Sequence, residues 1–248
     1  RIHGTDTIFC VPGESYLATL DALYDVKNDI RLIVCRQEGG AAYMAEAYGK
    51  LTGKPGICFV TRGPGATNAS LGIHTAHQDS SPVILLVGQV GRAMMDREAF
   101  QEVNFREMYA PLSKWVTQID DPGRIPEVMS RAFHVATSGR PGPVVIALPE
   151  DMQKEKASVN DARHYSPINP APTTDSMNQL QKILCKAQRP FVILGGSGWT
   201  KTACKKFTNF IEKYNLPVGA AFRRQDLIDN RHANYAGDVG LGINPALA

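Results

Sequence analysis

Short apolar runs recur along this chain, and each is followed by Gly or Pro and then by a stretch with helical spacing. The runs contain β-branched and aliphatic residues without polar alternation, and they comprise residues 8–11, 30–35, 57–61, 83–87 and 144–148. Unbroken runs of this kind are typical of strands that are covered on both faces. Strands and helices that alternate at this spacing predict an α/β fold with a doubly wound, mostly parallel sheet.

The segments between these runs have helical periodicity. Apolar residues recur at intervals of three and four over residues 16–24, 39–52 and 125–137, which predicts helices with one buried face. A second α/β pattern follows later in the chain, with helices and strands expected at residues 176–187, 191–194, 202–214 and 217–222.

A polar stretch separates the two patterns. Residues 153–175 contain Pro167, Pro170 and Pro172 and have no apolar periodicity, which is typical of an interdomain linker. We therefore predict a first α/β domain over residues 1–152, a linker over 153–175 and part of a Rossmann-like domain over 176–248.

Charge and cysteine content narrow the range of partners and compartments. Lys and Arg number 27 against 24 Asp and Glu, without a basic block, so a nucleic-acid or membrane-surface partner is not expected. The longest apolar run is too short to span a bilayer. Five cysteines, an odd number without a C-x-x-C pair, favour free thiols in a reducing compartment and a cytoplasmic location.

Three glycine-rich turns are candidate binding loops. The turn at Gly63-Pro64-Gly65 follows an apolar run and opens a helix, where backbone N–H groups can face an anion or a polar ring. The turn at residues 195–198 (GGSG) does not match G-x-G-x-x-G spacing, and a structural turn and a dinucleotide contact both remain open for it. The turn at residues 139–143 (GRPGP) is interpreted as a rigid turn.

Glu38 is the sharpest candidate for chemistry. It follows the apolar run at residues 30–35 and precedes a helix of small residues, and ligand sites of parallel sheets gather at the carboxyl ends of strands. A carboxylate at this position can equally stabilise the positive end of the helix dipole. The residue pattern alone leaves helix capping and a functional role open.

Several motifs, in order, resemble one enzyme family. They are residues 8–14 (IFCVPGE), 36–41 (RQEGGA), 60–68 (VTRGPGATN), 99–102 (AFQE) and 136–144 (ATSGRPGPV). Together they resemble the pyrimidine-binding domain of thiamine-diphosphate enzymes, and the nearest group is acetolactate-synthase-like. The resemblance covers residues 4–151 densely and, from about residue 176, the central domain of the same family more loosely. It thus identifies residues 1–152 as a pyrimidine-binding domain.

The resemblance implies a cofactor and a set of site residues. In this family a glutamate hydrogen-bonds the N1′ nitrogen of the aminopyrimidine of thiamine diphosphate and helps the cofactor to lose the proton at thiazolium C2. Glu38 stands at that position, and Gln101 is the second catalytic candidate. The positions expected to line the cofactor are Val11, Pro12, Gly13, Pro64 and Asn68.

The implied activity is the making or breaking of C–C bonds next to the carbonyl of 2-oxo acids, by a carboligase (transferase) or a decarboxylase (lyase). Gln37 and Gly39 depart from the histidine and glutamine that are common on either side of the glutamate, which leaves the substrate and the use of flavin (FAD) open. Two alternatives are a non-catalytic binding or regulatory fragment with the same fold and an oxidoreductase built on the loop at residues 195–198.

The family's G-D-G…N motif, which binds Mg²⁺ and diphosphate, does not occur in this sequence. The sequence begins with Arg1 instead of Met and ends at Ala248 without a turn signal. We therefore expect the amino-terminal portion of a longer enzyme, with no metal ligands in this portion and Mg²⁺ bound by another domain.

Assembly is a further expectation from the resemblance. We expect a homodimer or a dimer of dimers, with the small-residue helix at residues 39–45 buried at the interface between subunits. The alternative is that the helix after Gly65 in the same chain covers this face.

Overall fold

A computed structural model describes all residues from 1 to 248, and the chain divides into two compact units. The first unit is Arg1–Asn169 and the second is Pro170–Ala248. The division falls inside the predicted linker, and residues 155–173 contain no helix or strand. Each unit has its own sheet and its own hydrophobic core.

The first unit is built on a six-stranded sheet in the order β2-β1-β3-β4-β6-β5, and every neighbouring pair is parallel. The strands are β1 (Thr7–Cys10), β2 (Arg31–Val34), β3 (Gly56–Val60), β4 (Val83–Gln89), β5 (Trp115–Gln118) and β6 (Pro143–Pro149). The predicted doubly wound, parallel α/β fold is confirmed.

Helices cover both faces of this sheet. They are α1 (Leu17–Asp25), α2 (Glu38–Thr52), α3 (Gly63–Asp79), α4 (Phe105–Tyr109) and α5 (Ile125–Thr137). Alternate residues of β3 enter two separate cores: Ile57 and Phe59 pack in one, and Cys58 and Val60 pack in the other. Because both faces are buried, the central strands have no polar alternation.

The structure corrects one strand. The run at residues 30–35 was expected to be covered on both faces, but β2 is an edge strand and Val34 is 61% exposed. The opposite edge strand, β5, was not predicted, because its four half-buried residues include the polar Thr117 and Gln118. Edge strands bury less surface and need less apolar sequence than central ones.

The sheet order places a topological switch point between β1 and β3. From β1 the chain passes to β2 on one side, and it then returns through α2 to β3 on the other side. The loops that follow these strands therefore diverge at the carboxyl ends of β1 and β3. Open parallel sheets bind ligands in the crevice that such a divergence creates.

The face of α2 that carries Ala41, Ala42 and Ala45 is covered within this chain, which bears on the interface expected at residues 39–45. Ala42 is 0% exposed within this single chain, where it faces Gly72 of α3. Ala41 and Ala45 pack in the same core as Ala69 and Ile73 of α3. The alternative is therefore what the structure shows: the next helix of the same chain covers the small-residue face of α2.

The second unit has a three-stranded parallel sheet in the order β7-β8-β9, and its elements are α6 (Thr174–Lys186), β7 (Val192–Leu194), α7 (Lys201–Tyr214), β8 (Val218–Ala221) and β9 (Tyr235–Val239). Strand β9 was not predicted. The glycine turn at residues 195–198 follows β7, and the Trp199 indole donates a hydrogen bond to the Gly195 carbonyl at 2.9 Å. No helix in either unit combines the length and the apolar character that a membrane span requires.

Candidate active site

Loops after β1, β2 and β3 meet at the switch point. A Cβ atom on Gly13, in the loop after β1, would lie 2.5 Å from the Thr61 Cβ atom after β3. Glu38, after β2, hydrogen-bonds Asn68 in α3. The sequence-predicted residues from these loops are therefore brought together at the carboxyl ends of the strands.

Glu38 begins α2 but does not cap it. The cap is Gln37, whose side-chain oxygen accepts a hydrogen bond from the Gly40 N–H at 2.8 Å. The Glu38 Oε2 atom instead accepts a hydrogen bond from the Asn68 amide at 2.9 Å. Because Gln37 satisfies the helix end, the Glu38 carboxylate is available to a ligand.

The second oxygen of Glu38 has no hydrogen bond within the chain and faces space that a glycine keeps open. A Cβ atom on Gly65 would lie 3.6 Å from Glu38 Oε1, and it would approach the Thr61 and Val60 side chains at 3.1 and 3.3 Å. Glu38 itself is half-buried. The site thus presents one acceptor that the chain orients and a second that is free.

The loop that carries Gln101 docks on the start of α3. The Gly63 N–H donates a hydrogen bond to the Gln101 carbonyl at 2.9 Å. A Cβ atom on Gly63 would lie 2.9 Å from the Val103 Cγ2 atom and 3.0 Å from the same carbonyl. Only glycine permits this approach. Pro64 follows in the first turn and is exposed, while Gln101 is half-buried.

Residues 11–13 follow β1 and line one side of the candidate site. The Val11 N–H donates to the Phe59 carbonyl at 3.3 Å, and the Tyr16 hydroxyl donates to the Val11 carbonyl. Tyr16 is fully buried and stacks on Phe59 with ring centroids 3.8 Å apart. Burial raises the pKa of the Tyr16 hydroxyl, so the hydroxyl stays protonated and remains a donor. Pro12 is exposed beside this anchored backbone.

Sequence reasoning missed Arg62. Its guanidinium is buried and donates to Glu14 Oε1 at 2.8 Å and to Glu150 Oε2 at 2.7 Å. Arg62 thereby joins the ends of β3 and β6 to the loop that follows Gly13. A lone arginine directly before the glycine-rich turn was the available signal, but its two partners are distant in the sequence.

These residues fit the aminopyrimidine end of thiamine diphosphate. A ring N–H needs a hydrogen-bond acceptor, and Glu38 Oε1 is an acceptor without a partner. A flat ring also needs close contact with the backbone, and Gly13, Gly63 and Gly65 allow this because they have no side chains. No group of three or more His, Cys, Asp or Glu residues is arranged to hold a metal ion. The residues at the switch point therefore fit the ring end of the cofactor.

Comparison with known proteins identifies two domains of one family. Residues 1–108 match the domain described as "Thiamine pyrophosphate enzyme, N-terminal TPP binding domain", and residues 177–248 match "Thiamine pyrophosphate enzyme, central domain". The chain belongs to the thiamine pyrophosphate enzyme family. The resemblance found in the sequence motifs is confirmed, and the fold agrees with it.

Relatives in this family are identical to the chain at about a third of the aligned positions. The acetolactate synthase of Arthrospira platensis is 33% identical over 97% of the chain, and the acetolactate synthase large subunit of Lactococcus lactis is 38% identical over 96%. A probable acetolactate synthase large subunit of Methanococcus aeolicus is 35% identical over 97%. The matched region spans 43%, 42% and 41% of these three relatives, respectively.

Proposed function

We propose that this chain supplies the pyrimidine-binding side of the active site of a thiamine-diphosphate-dependent carboligase that acts on 2-oxo acids. The observation that carries the proposal is the Glu38 carboxylate at the switch point. Its Oε2 atom is held by Asn68, its Oε1 atom is free, and Gln37 performs the helix-capping role that would otherwise explain it. The similar proteins are named acetolactate synthases, which favours ligation over decarboxylation alone.

The proposed role of Glu38 is to hold the aminopyrimidine through Oε1 and to exchange a proton with its ring nitrogen. Asn68 fixes the carboxylate so that only one oxygen faces the ligand. Thiamine diphosphate, when bound, supplies a nucleophilic carbon and an electron sink for C–C bond making and breaking. Gln101 lies on a loop bonded to the start of α3, from which its amide can orient the 2-oxo acid by hydrogen bonds.

The remaining features of the proposal rest on the resemblance. Mg²⁺ and the diphosphate would be bound by residues outside this chain, and FAD remains open. A homodimer or a dimer of dimers is supported by exposed apolar side chains on the outer sides of α2 and α3, namely Tyr43, Met44, Leu51 and Leu71. A cytoplasmic location is supported by five free cysteines.

The test is Glu38→Gln in the full-length protein encoded by the reading frame that contains this chain. The two side chains are nearly isosteric, but a neutral amide cannot exchange the proton. Hydrogen–deuterium exchange at C2 of the bound cofactor, followed by NMR, should slow by about 10²–10⁴-fold.

Glu107→Gln is the matched control, because Glu107 also lies in the first turn of a helix and is exposed. It removes one charge from the first turn of a helix without touching the site, and it should leave C2 exchange unchanged. Unaltered exchange in Glu38→Gln would remove Glu38 from the catalytic role.

A further inference from the structure

The loop between the 3-10 helix Arg92–Met94 and α4 is backbone-strained. Asp96, Glu98 and Gln101 have φ values of 61°, 52° and 66°, and they are three of the five non-glycine residues with positive φ in the chain. Left-handed backbone is disfavoured for residues with a Cβ atom. It persists only where surrounding contacts hold it, and such positions cluster at functional sites.

The carboxylate of Glu102 supplies those contacts from inside the loop. One oxygen accepts a hydrogen bond from the Asp96 N–H at 2.7 Å, and the other accepts one from the Ala99 N–H at 3.0 Å. The Glu102 N–H in turn donates to the Ala99 carbonyl at 2.9 Å. These backbone donors lower the pKa of Glu102, as expected for a carboxylate that binds in its charged form.

The two residues that flank Glu102 are anchored to the rest of the first unit. The Gln101 carbonyl accepts from Gly63 at the start of α3, and the Val103 carbonyl accepts from the buried Gln89 side chain at the end of β4 at 2.9 Å. Glu102 therefore connects the backbone at Asp96 and Ala99 to a segment whose neighbouring residues, Gln101 and Val103, are both hydrogen-bonded to the rest of the unit. Gln101 lies at the junction, next to the exposed Phe100.

We infer that Glu102 is a positioning residue, whose carboxylate closes the loop over residues 96–102 and so holds Gln101 in the left-handed conformation beside the first turn of α3. Glu102 acts through the backbone and does not touch the reacting atoms. The catalytic part of this inference rests on the proposed function, whereas the closing of the loop does not.

The test compares Glu102→Gln with Glu98→Gln. The amide of the first variant offers one acceptor in place of two, so one of the two backbone donors is lost. Glu98 is the matched control, because it lies in the same loop, also has positive φ, carries the same charge and makes no hydrogen bond or ion pair. Glu102→Asp keeps the charge but shortens the side chain by one methylene group, and it separates reach from charge.

The first readout is amide hydrogen exchange, which needs no cofactor. In Glu102→Gln, exchange should rise about ten-fold at the Asp96 or the Ala99 amide, whichever loses its acceptor, and in Glu102→Asp it should rise about ten-fold at both. Exchange at both amides should stay unchanged in Glu98→Gln. The second readout is steady-state kinetics of the full-length enzyme, in which kcat should fall about ten- to hundred-fold with KM for the 2-oxo acid unchanged. A lower kcat with an unchanged KM indicates a lost transition-state interaction and not a general loss of fold.

Unchanged exchange in Glu102→Gln overturns the inference, and so does a kcat equal to that of Glu98→Gln. A full-length protein without any carboligase activity would overturn the proposed function instead, and the exchange experiment would still decide whether Glu102 holds the loop.

Discussion

The packing of α2 on α3 leads to a quantitative prediction for Gly72→Ala. A Cβ atom at this position would lie 2.5 Å from the Ala42 Cβ atom, 2.6 Å from the Ala42 carbonyl carbon and 2.8 Å from the Tyr43 nitrogen. Non-bonded carbon atoms prefer about 3.5–4.0 Å, so the overlap is about 1 Å. Two of the three atoms are backbone, and no side-chain rotation relieves the clash.

The expected change in the free energy of unfolding is the difference of two opposing effects. Overpacking of a core costs about 1–3 kcal/mol, and the upper end applies because the α2 backbone must move. Replacing a helical glycine by alanine favours the helix by about 1 kcal/mol. We expect the free energy of unfolding of the first unit to fall by about 2 kcal/mol, which for a unit of this size lowers Tm by about 4–8 °C.

The assay is urea unfolding followed by tryptophan fluorescence. The chain has one tryptophan in each unit, Trp115 and Trp199, so a Trp199→Phe background reports on the first unit alone. Gly40→Ala is the control, since a Cβ atom there meets nothing within 4 Å, and this variant should be neutral or slightly stabilising.

A second variant tests the cause of the loss. Ala42→Gly combined with Gly72→Ala removes the side-chain contact and leaves the two backbone contacts, so it should restore only a small part of the stability. If Gly72→Ala unfolds at the same urea concentration as Gly40→Ala, or if the double variant recovers fully, the reasoning from backbone contact is refuted.

Two further predictions concern buried positions. Ala42→Arg should prevent the first unit from folding, because a charge would be buried between two helices of the same chain; a folded, soluble monomer with native Trp115 fluorescence would contradict this. Burial raises the pKa of the Cys10 thiol to about 11, so its ionisation favours the unfolded chain, and stability should fall as the pH rises from about 9 to about 11. The same titration of Cys10→Ala should show a smaller fall, and an equal fall would exclude this thiol as the cause.

Much of the fold could be predicted because its signals are local. The central strands β1, β3, β4 and β6 are buried on both faces, so their sequences are unbroken apolar runs that can be recognised one segment at a time. The same holds for α5, whose predicted and observed limits coincide at residues 125–137. A motif such as residues 60–68 is likewise contiguous, and it placed the glycine-rich turn at the start of a helix.

Other features depended on contacts between segments that are distant in the sequence. Whether Glu38 or Gln37 caps α2 is decided by side-chain geometry, and whether α3 or another subunit covers Ala42 is decided by how two helices approach. Edge position is a property of the whole sheet, so nothing within the run at residues 30–35 marks β2 as exposed. Periodicity and spacing along the chain determined which helices and strands form. Only the tertiary structure decided which elements pack against each other, because packing brings together segments that are far apart in the sequence.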